Sequence, residues 1–292
     1  MIPSGNHNLN GAERTAPENF PNHDQYHYID IHCHCLPAVD DGPATVTEAL
    51  ALCRALVDDC VTTAIATPHQ LGRFSGCNDA EYIREKVSAF NEELKKNDVA
   101  LTVVPGADVR VDERICQLIE DDKILTLADG GKYILLELAP QVFIDIEPLL
   151  IELGSLGVQA IISHPERHPI LAAQSNMSLY SRTQSSAFGA PLKWLEHSVH
   201  LQITAASLLG RFGPMSQRAA WQFLSAGWAS LVATDAHDLH TRGPCMKAAF
   251  ERISAELGQA VARLVCIENP LRVLKGQDIE VVSLYKYKQV QR

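Results

Sequence analysis

Histidine and carboxylate side chains recur along this chain where apolar segments end. The first such segment ends in Ile-Asp-Ile-His-Cys-His at His34, and the last ends in Ala-Thr-Asp-Ala-His at His237. His69 and His164 end two further segments, and Glu137 lies inside another. Imidazole and carboxylate donors together suit Zn²⁺, Mn²⁺ or Fe²⁺ better than Ca²⁺ or Mg²⁺. The recurrence therefore predicts a transition-metal site assembled from distant parts of the chain.

Two pairs of these residues have strand spacing. Residues i and i+2 of a β-strand point to the same side. We therefore expect His32 and His34 to approach one ion together, and Asp235 and His237 to do the same. A lone His-x-His proves little in a chain with 12 histidines, so the prediction depends on the recurrence as a whole.

Taken singly, the candidate ligands have ordinary explanations. Glu137 lies in Tyr-Ile-Leu-Leu-Glu-Leu, and a buried carboxylate is costly unless it is paired or binds a cation, so we favour ligation over a structural ion pair. His164 alone would more often be a satisfied core residue. Asp41, within Asp-Asp-Gly-Pro, could equally be a turn residue.

The elements that must position these side chains are alternating strands and helices. The strand candidates are continuously apolar, as parallel strands buried on both faces are. Strands are predicted at 26–32, 62–67, 100–105, 133–138, 158–163, 199–204 and 230–234. Helices are predicted at 45–59, 79–96, 113–121, 146–156, 214–226 and 244–257, the first opening with a Thr45–Glu48 capping box. Such a pattern predicts a parallel barrel whose carboxyl-end rim carries the site.

Composition limits the classes of function. The chain has 292 residues, 46% hydrophobic and 21% charged, which is typical of a globular protein. Its net charge of −10 argues against general binding of nucleic acid or anionic membranes. We find no apolar run of signal-peptide or membrane-spanning type, and the eight cysteines form no Cys-x-x-Cys pair. A cytoplasmic protein with free thiols, not inserted in a membrane, is therefore predicted.

The domain organisation is predicted from local composition. Residues 1–25, rich in Asn, Gly, Pro and His, are predicted to be a disordered or extended leader. The barrel is predicted to span 26–278, with a C-terminal tail at 279–292. The polar stretch 174–190 is predicted to be a loop before a short helix near 192–197.

Eight motifs occur along the chain in a recognisable order. They are Asp30-Ile-His-Cys-His34, Val-Asp-Asp-Gly42, Thr-Pro-His69, Pro-Gly-Ala-Asp108, Leu-Glu137, Ser-His-Pro-Glu-Arg167, Gly210-Arg-Phe-Gly213 and Thr-Asp-Ala-His237. In this order the set resembles the polymerase-and-histidinol-phosphatase (PHP) superfamily. It is most similar to the bacterial protein-tyrosine phosphatases of capsule and exopolysaccharide synthesis. The similarity spans about residues 29–270, nearly the whole predicted barrel.

The resemblance implies a fold, a cofactor and roles for residues. It implies an α/β protein with a distorted (β/α)7 TIM-like barrel, the PHP fold. The barrel is implied to hold two or three metal ions, for which Mn²⁺ is the preferred assignment and Zn²⁺ or Fe²⁺ are alternatives. The implied metal ligands are His32, His34, Asp41, His69, Asp108, Glu137, His164, Asp235 and His237. Arg167 is implied to bind the substrate phosphate and, with Asp235 and His237, to form the catalytic group.

One position of this chain, residue 108, departs from the family pattern. Asp108 stands where the family usually has Glu. Its shorter side chain would shift one metal ion, bind that ion more weakly, or reach it through water.

The resemblance alone also implies the partners. The implied partner is a phosphotyrosine protein, a bacterial tyrosine kinase of polysaccharide export. Some relatives form rings, so the resemblance also allows a homo-oligomer.

Other functions stay open at this point. A small-molecule phosphatase, such as one for histidinol phosphate, could use the same fold. An amidohydrolase also has His-x-His on its first strand, but it usually carries a modified lysine where Glu137 stands. An inactive PHP interaction module is a third alternative. We predict no cysteine nucleophile, since Cys77 and Arg84 lack the Cys-x5-Arg spacing of cysteine phosphatases.

Overall fold

The computed structural model describes residues 26–140, 142–174, 194, 197 and 199–281, and within these it contains nine strands and ten α-helices. The strands are β1 (Tyr28–Cys33), β2 (Val61–Ala66), β3 (His69–Gln70), β4 (Thr102–Pro105), β5 (Asp108–Arg110), β6 (Tyr133–Glu137), β7 (Gln159–Ser163), β8 (His200–Thr204) and β9 (Ala229–Ala233). The helices are α1 (Val46–Asp58), α2 (Ala80–Lys96), α3 (Ile115–Glu120), α4 (Glu147–Ser155), α5 (Pro169–Gln174), α6 (Ala205–Leu208), α7 (Gly213–Ser225), α8 (Met246–Leu257), α9 (Gln259–Arg263) and α10 (Asn269–Leu274).

All strand pairs are parallel, in the orders β1-β2-β4 and β3-β5-β6-β7-β8-β9. The chain passes from β2 to β3 through Thr67 and Pro68, and from β4 to β5 through Gly106 and Ala107. Pro68 has no N–H to donate to a ladder, and a Cβ at Gly106 would lie 2.6 Å from the Ile65 side chain. Seven of the nine strands therefore match the predicted positions, and the two short strands β3 and β5 follow the predicted ends at 67 and 105 after an interruption.

The first and last strands meet near their carboxyl ends. A single parallel bridge joins Cys33 to Ala236, where the His34 N–H donates to the Ala236 carbonyl at 2.9 Å. The Asp235 N–H donates to the His32 carbonyl at 2.8 Å. These contacts bring β1 beside β9, and the predicted α/β class with a distorted (β/α)7 barrel is confirmed.

The hydrophobic core has two layers. Ile31, Ile65, Leu135, Ile161 and Leu231 come from five strands and fill the barrel interior, each with 0% exposure. A larger cluster packs the outer faces of the strands against the helices. Because the strands are buried on both faces, their sequences are continuously apolar rather than alternating.

The predicted elements agree with the structure except in detail. Each predicted strand and helix overlaps an observed one, and α1 begins with the predicted capping box. The predicted leader, most of the 174–190 loop and most of the helix near 192–197 lie outside the described residues.

The predicted tail begins inside the folded part of the chain. Ile279, placed in that tail, is buried and donates its N–H to the Tyr133 hydroxyl at 3.2 Å. No helix among the described residues is long and apolar enough to cross a membrane.

His200, at the amino end of β8, should make stability depend on pH. The residue is 8% exposed, and burial lowers its pKa to about 4 from an ordinary value near 6.5. Between these values the unfolded chain binds a proton that the folded chain does not, so stability is lost as pH falls from 6.5 toward 4. We expect this residue to cost about 2 kcal/mol of unfolding free energy at pH 5 relative to pH 7.

Urea unfolding at pH 5 and pH 7 measures this effect. His200→Gln should show a smaller loss of stability on acidification than the unsubstituted protein, because Gln does not titrate. The matched control is His27→Gln, since His27 is exposed and its substitution should leave the pH dependence unchanged. An equal pH dependence in all three proteins would contradict the prediction.

Candidate metal centre

The His-x-His pair at the end of β1 is held by two residues that sequence reasoning did not identify. Nδ1 of His34 contacts the Asp40 carboxylate at 2.6 Å, and Nδ1 of His32 contacts the Gln202 amide oxygen at 2.8 Å. Since both oxygens can only accept, both Nδ1 atoms donate. The Nε2 atoms then face each other 3.2 Å apart, and a proton or a cation must lie at or near that contact.

Charges in the site determine where a proton goes when no metal is bound. Burial opposes protonation of His32, but Asp235 and Asp108 outweigh it and raise its pKa to about 9. Burial, assisted by His237, lowers the pKa of His34 to about 3. His32 therefore carries the proton that its contact with His34 requires. The centre attracts positive charge even though its residues are shielded from water.

All nine predicted ligands lie at this centre. They form overlapping sets in which the ligand atoms lie within 4.8 Å of one another. The sets are His34, Asp41, His69 and His237; His32, His164 and Asp235; His32, His34 and Asp108; and His69, Asp108 and Glu137. Such separations allow two donors to share an ion about 2.0–2.3 Å from each. The sequence-predicted residues are thus brought together as a metal site requires.

Several ligand atoms of these residues are poorly satisfied within the protein. Both carboxylate oxygens of Asp108 and Nε2 of His237 are buried without a hydrogen bond in the described part of the chain, although Nδ1 of His69 lies 3.4 Å from Oδ2 of Asp108. Leaving buried polar atoms unsatisfied costs about 1–3 kcal/mol each. Carboxylate oxygen and imidazole nitrogen are ligand types of Mn²⁺, Fe²⁺ and Zn²⁺. The residues present therefore fit a divalent transition-metal ion.

The second strand-spaced pair, Asp235 and His237, is not spaced by a strand. Oδ1 of Asp235 lies 3.7 Å from Nδ1 of His237, although the two residues fall in different sets of three or more ligands. β9 ends at Ala233, and Asp235 has a φ of +53°, so strand alternation does not extend to this pair. Asp235 Oδ1 also lies 3.1 Å from Nε2 of His32. That this pair shares one ion stays a prediction, and its basis is the turn after the strand rather than strand alternation.

The carboxylates at the open side of the centre are paired with arginines. Arg73 contacts Asp41 at 2.6 Å, and Arg110 contacts Glu137 at 2.7 Å. Burial, followed by repulsion from Asp108, raises the pKa of Glu137 to about 7. The sequence predicted neither arginine partner. Arg73 contacts Oδ2 of Asp41 and leaves Oδ1 facing His69 and His237, whereas Oε2 of Glu137 lies near both Arg110 and His69.

A cavity of about 330 Å³ opens over the centre. Four arginines contribute to its walls, namely Arg73, Arg110, Arg167 and Arg242. Arg167 and Arg242 both contact Oδ2 of Asp235, the latter at 2.5 Å, and the Arg167 guanidinium lies 4.5 Å from the centre of the Phe212 ring. A guanidinium can fork onto two oxygens of a phosphate. The cavity therefore suits a phosphoryl group above the predicted ligands.

Arg242 is a candidate site residue that the sequence analysis missed. It follows His237 by five residues, in the same loop, and its backbone N–H donates to Asp238 while its carbonyl accepts from His237. Its position after a predicted ligand was the available signal. A lone arginine in a loop has no distinguishing spacing, so only the fold shows that it faces the cavity.

The cysteines take no part in this site. Cys33 and Cys35, beside the histidines, are fully buried, as expected for packing residues. Cys266 and Arg272 do have the Cys-x5-Arg spacing, which the sequence analysis overlooked. Cys266 is fully buried in a π-helical turn, and burial raises the pKa of its thiol. A protonated, inaccessible thiol cannot act as a nucleophile, so the prediction of a metal rather than a cysteine site stands.

Comparison with known sequences places the chain in a family. Residues 28–275 match the family described as "Capsular polysaccharide synthesis, CpsB/CapC". The chain belongs to the CpsB/CapC family. This match covers nearly the whole described barrel and confirms the resemblance drawn from the ordered motifs.

Relatives within the CpsB/CapC family carry names that state an activity. Tyrosine-protein phosphatase YwqE of Bacillus subtilis is 31% identical over 252 residues, which make up 86% of this chain and 93% of YwqE. The putative tyrosine-protein phosphatase CapC of Staphylococcus aureus is 30% identical over 226 residues, 76% of this chain and 82% of CapC.

A solved structure of the CpsB/CapC family shares the fold. It comes from crystal structures of YwqE from Bacillus subtilis and CpsB from Streptococcus pneumoniae, described as unique metal-dependent tyrosine phosphatases. The two chains superpose with a TM-score of 0.78 at 30% identity, covering 87% of this chain and 97% of the other.

Proposed function

We infer that this chain is a metal-dependent phosphoesterase that hydrolyses phosphotyrosine on a protein of capsular or exopolysaccharide synthesis. One observation carries the inference: nine potential ligands converge beneath an arginine-walled cavity in a member of the CpsB/CapC family. The names of its relatives supply the phosphotyrosine part.

We propose that the centre holds two or three metal ions. Mn²⁺ is the preferred assignment, and Zn²⁺ or Fe²⁺ are the alternatives. Bound metal would neutralise phosphate oxygens and lower the pKa of a bound water. The proposed ligands are His32, His34, Asp41, His69, Asp108, Glu137, His164, Asp235 and His237. Neither oxygen of Asp108 makes a hydrogen bond among the described residues, and its nearest imidazole nitrogen, on His69, is 3.4 Å away, so this shorter side chain remains available to a cation.

Side chains of the cavity would orient the substrate. Arg167, and Arg242 beside it, would fork onto the nonbridging oxygens and hold charge that develops during transfer. Asp235 keeps both guanidiniums turned toward the metal side, and with His237 completes the proposed catalytic group. An arginine does not release its proton, so neither guanidinium protonates the leaving group. A tyrosine phenolate, with a parent pKa of about 10, needs less protonation than an alkoxide.

A phosphatase for small molecules on the same fold is the main alternative. The discriminating experiment compares kcat/KM for a phosphotyrosine peptide and for histidinol phosphate, with the protein loaded with Mn²⁺. We expect the peptide to be hydrolysed with the higher kcat/KM. A preference for histidinol phosphate would favour the alternative, and turnover of neither substrate by metal-loaded protein would favour an inactive interaction module.

The more specific partners remain proposals. We propose that the substrate protein is a bacterial tyrosine kinase of polysaccharide export, because the family is described by capsular polysaccharide synthesis. Assembly into a homo-oligomer and a cytoplasmic location also stay predictions.

A further inference from the structure

One buried carboxylate beside the metal centre, that of Asp40, is not among the predicted ligands. Its Oδ2 accepts from Nδ1 of His34 at 2.6 Å and from the backbone N–H of His69 at 3.0 Å. Its Oδ1 accepts the backbone N–H of Gly42 at 3.0 Å. The Asp40 side chain is 1% exposed. A single carboxylate thus satisfies three donors from three separate parts of the site.

These contacts converge on one set of ligands, although His34 and His69 each also belong to a second set with Asp108. His34, His69 and Asp41, which directly follows Asp40, are three members of the set that His237 completes. The turn that carries Asp41 packs tightly on His34, since a Cβ at Gly42 would lie 2.4 Å from the His34 carbonyl oxygen. Asp40 therefore links the backbone and ring positions of three out of four ligands.

We propose that Asp40 is a positioning residue for the metal position formed by His34, Asp41, His69 and His237. Its carboxylate keeps the His34 ring protonated at Nδ1, with Nε2 free for the ion, and fixes the distance between His34 and His69. Outer partners of this kind orient metal-binding histidines and raise their basicity. The inference rests on the proposed metal dependence of the chain.

The other histidine of the pair offers an internal comparison. Nδ1 of His32 is held by the neutral amide of Gln202 at 2.8 Å, and His32 belongs to the set with His164 and Asp235. The hydrogen bonds of Asp40 go to His34, His69 and Gly42, none of which belongs to that set. Loss of Asp40 should therefore weaken the position formed by His34, Asp41, His69 and His237 and spare the one formed by His32, His164 and Asp235.

The substitution Asp40→Asn tests the proposal. An amide has one accepting oxygen where the carboxylate has two, so Asn cannot satisfy all three N–H donors. After equilibration with defined Mn²⁺, we expect one ion fewer per chain by elemental analysis, or about a 10–100-fold weaker affinity at one position. Excess Mn²⁺ should recover phosphatase activity. Asp58→Asn, at an exposed position of α1, is the matched control and should bind Mn²⁺ like the unsubstituted protein.

Three further variants, His237→Ala, its combination with Asp40→Asn, and Asp40→Glu, identify the metal position and protect the test against misfolding. If Asp40 and His237 serve the same ion, Asp40→Asn combined with His237→Ala should lose no more Mn²⁺ than His237→Ala alone. Asp40→Glu retains two accepting oxygens and should recover part of the affinity. Unchanged Mn²⁺ affinity in Asp40→Asn, or additive losses in the double variant, would overturn the proposal. An unsubstituted protein that binds no Mn²⁺ would instead defeat the proposed function.

Discussion

Arg167→Ala should lower kcat for a phosphotyrosine peptide by roughly 10²–10³-fold, the usual effect of removing one preorganised charge-stabilising donor. The guanidinium lines the cavity beside Glu137 and His164 and contacts Asp235. Metal content should not change, because Asp235 keeps its contact with Arg242 at 2.5 Å. Steady-state kinetics and elemental analysis on the same preparation measure both quantities.

A second substitution at Arg167 separates the effect of its charge from that of its geometry, and a substitution on α7 serves as a control. Arg167→Lys keeps the charge but loses the planar fork, so its kcat should lie between those of the unsubstituted protein and Arg167→Ala. Arg218→Ala, at an exposed position of α7, is the matched control and should retain full activity. An Arg167→Ala protein with unchanged kcat would remove the phosphate-binding role from this residue.

The second large effect should come from His32. Its Nε2 lies 3.1 Å from Asp235 and 3.2 Å from Nε2 of His34, and it belongs to two of the four ligand sets. Without this imidazole, the metal positions that include Asp235 and Asp108 lose the nitrogen ligand that His32 supplies. We expect His32→Ala to lose at least one metal ion. Since bound metal contributes several kcal/mol to such reactions, the rate should fall on the order of 10³-fold.

Chelation provides the parallel measurement for this prediction. A chelator should abolish the activity of the unsubstituted protein, and added Mn²⁺ should restore it, whereas His32→Ala should respond weakly to the same addition. His27→Ala, which removes an exposed histidine, should behave like the unsubstituted protein. Full activity of His32→Ala after dialysis against chelator would contradict the metal mechanism.

The linear sequence was sufficient for the types of element and for the types of ligand. Continuously apolar runs mark strands buried on both faces, and burial on both faces is a property of parallel barrels. The capping box of Thr45 and Glu48 fixed the start of α1 because its hydrogen bonds join residues three positions apart. The buried Glu137 was identified for the same kind of reason, since an apolar run makes an ionised carboxylate costly.

The interrupted strands were only partly predictable. The sequence placed His69 and Asp108 after strand ends, whereas both lie in short strands, β3 and β5, that pair with each other. Pro68 and Gly106 were visible in the sequence. Their effect depends on which strand lies alongside, and that is a property of the assembled sheet.

The sequence by itself predicted that this chain carries imidazoles and carboxylates on or just after six of its seven predicted parallel strands, which is enough for a metal site. Only the tertiary structure decided that Asp235 lies beside His32, that Gln202 holds His32 across 170 residues of chain, and that Arg242 faces the cavity. The physical reason is that strand ends and local hydrogen bonds are encoded by neighbours in sequence. Ring orientation and charge pairing depend on residues that become neighbours only when the barrel forms.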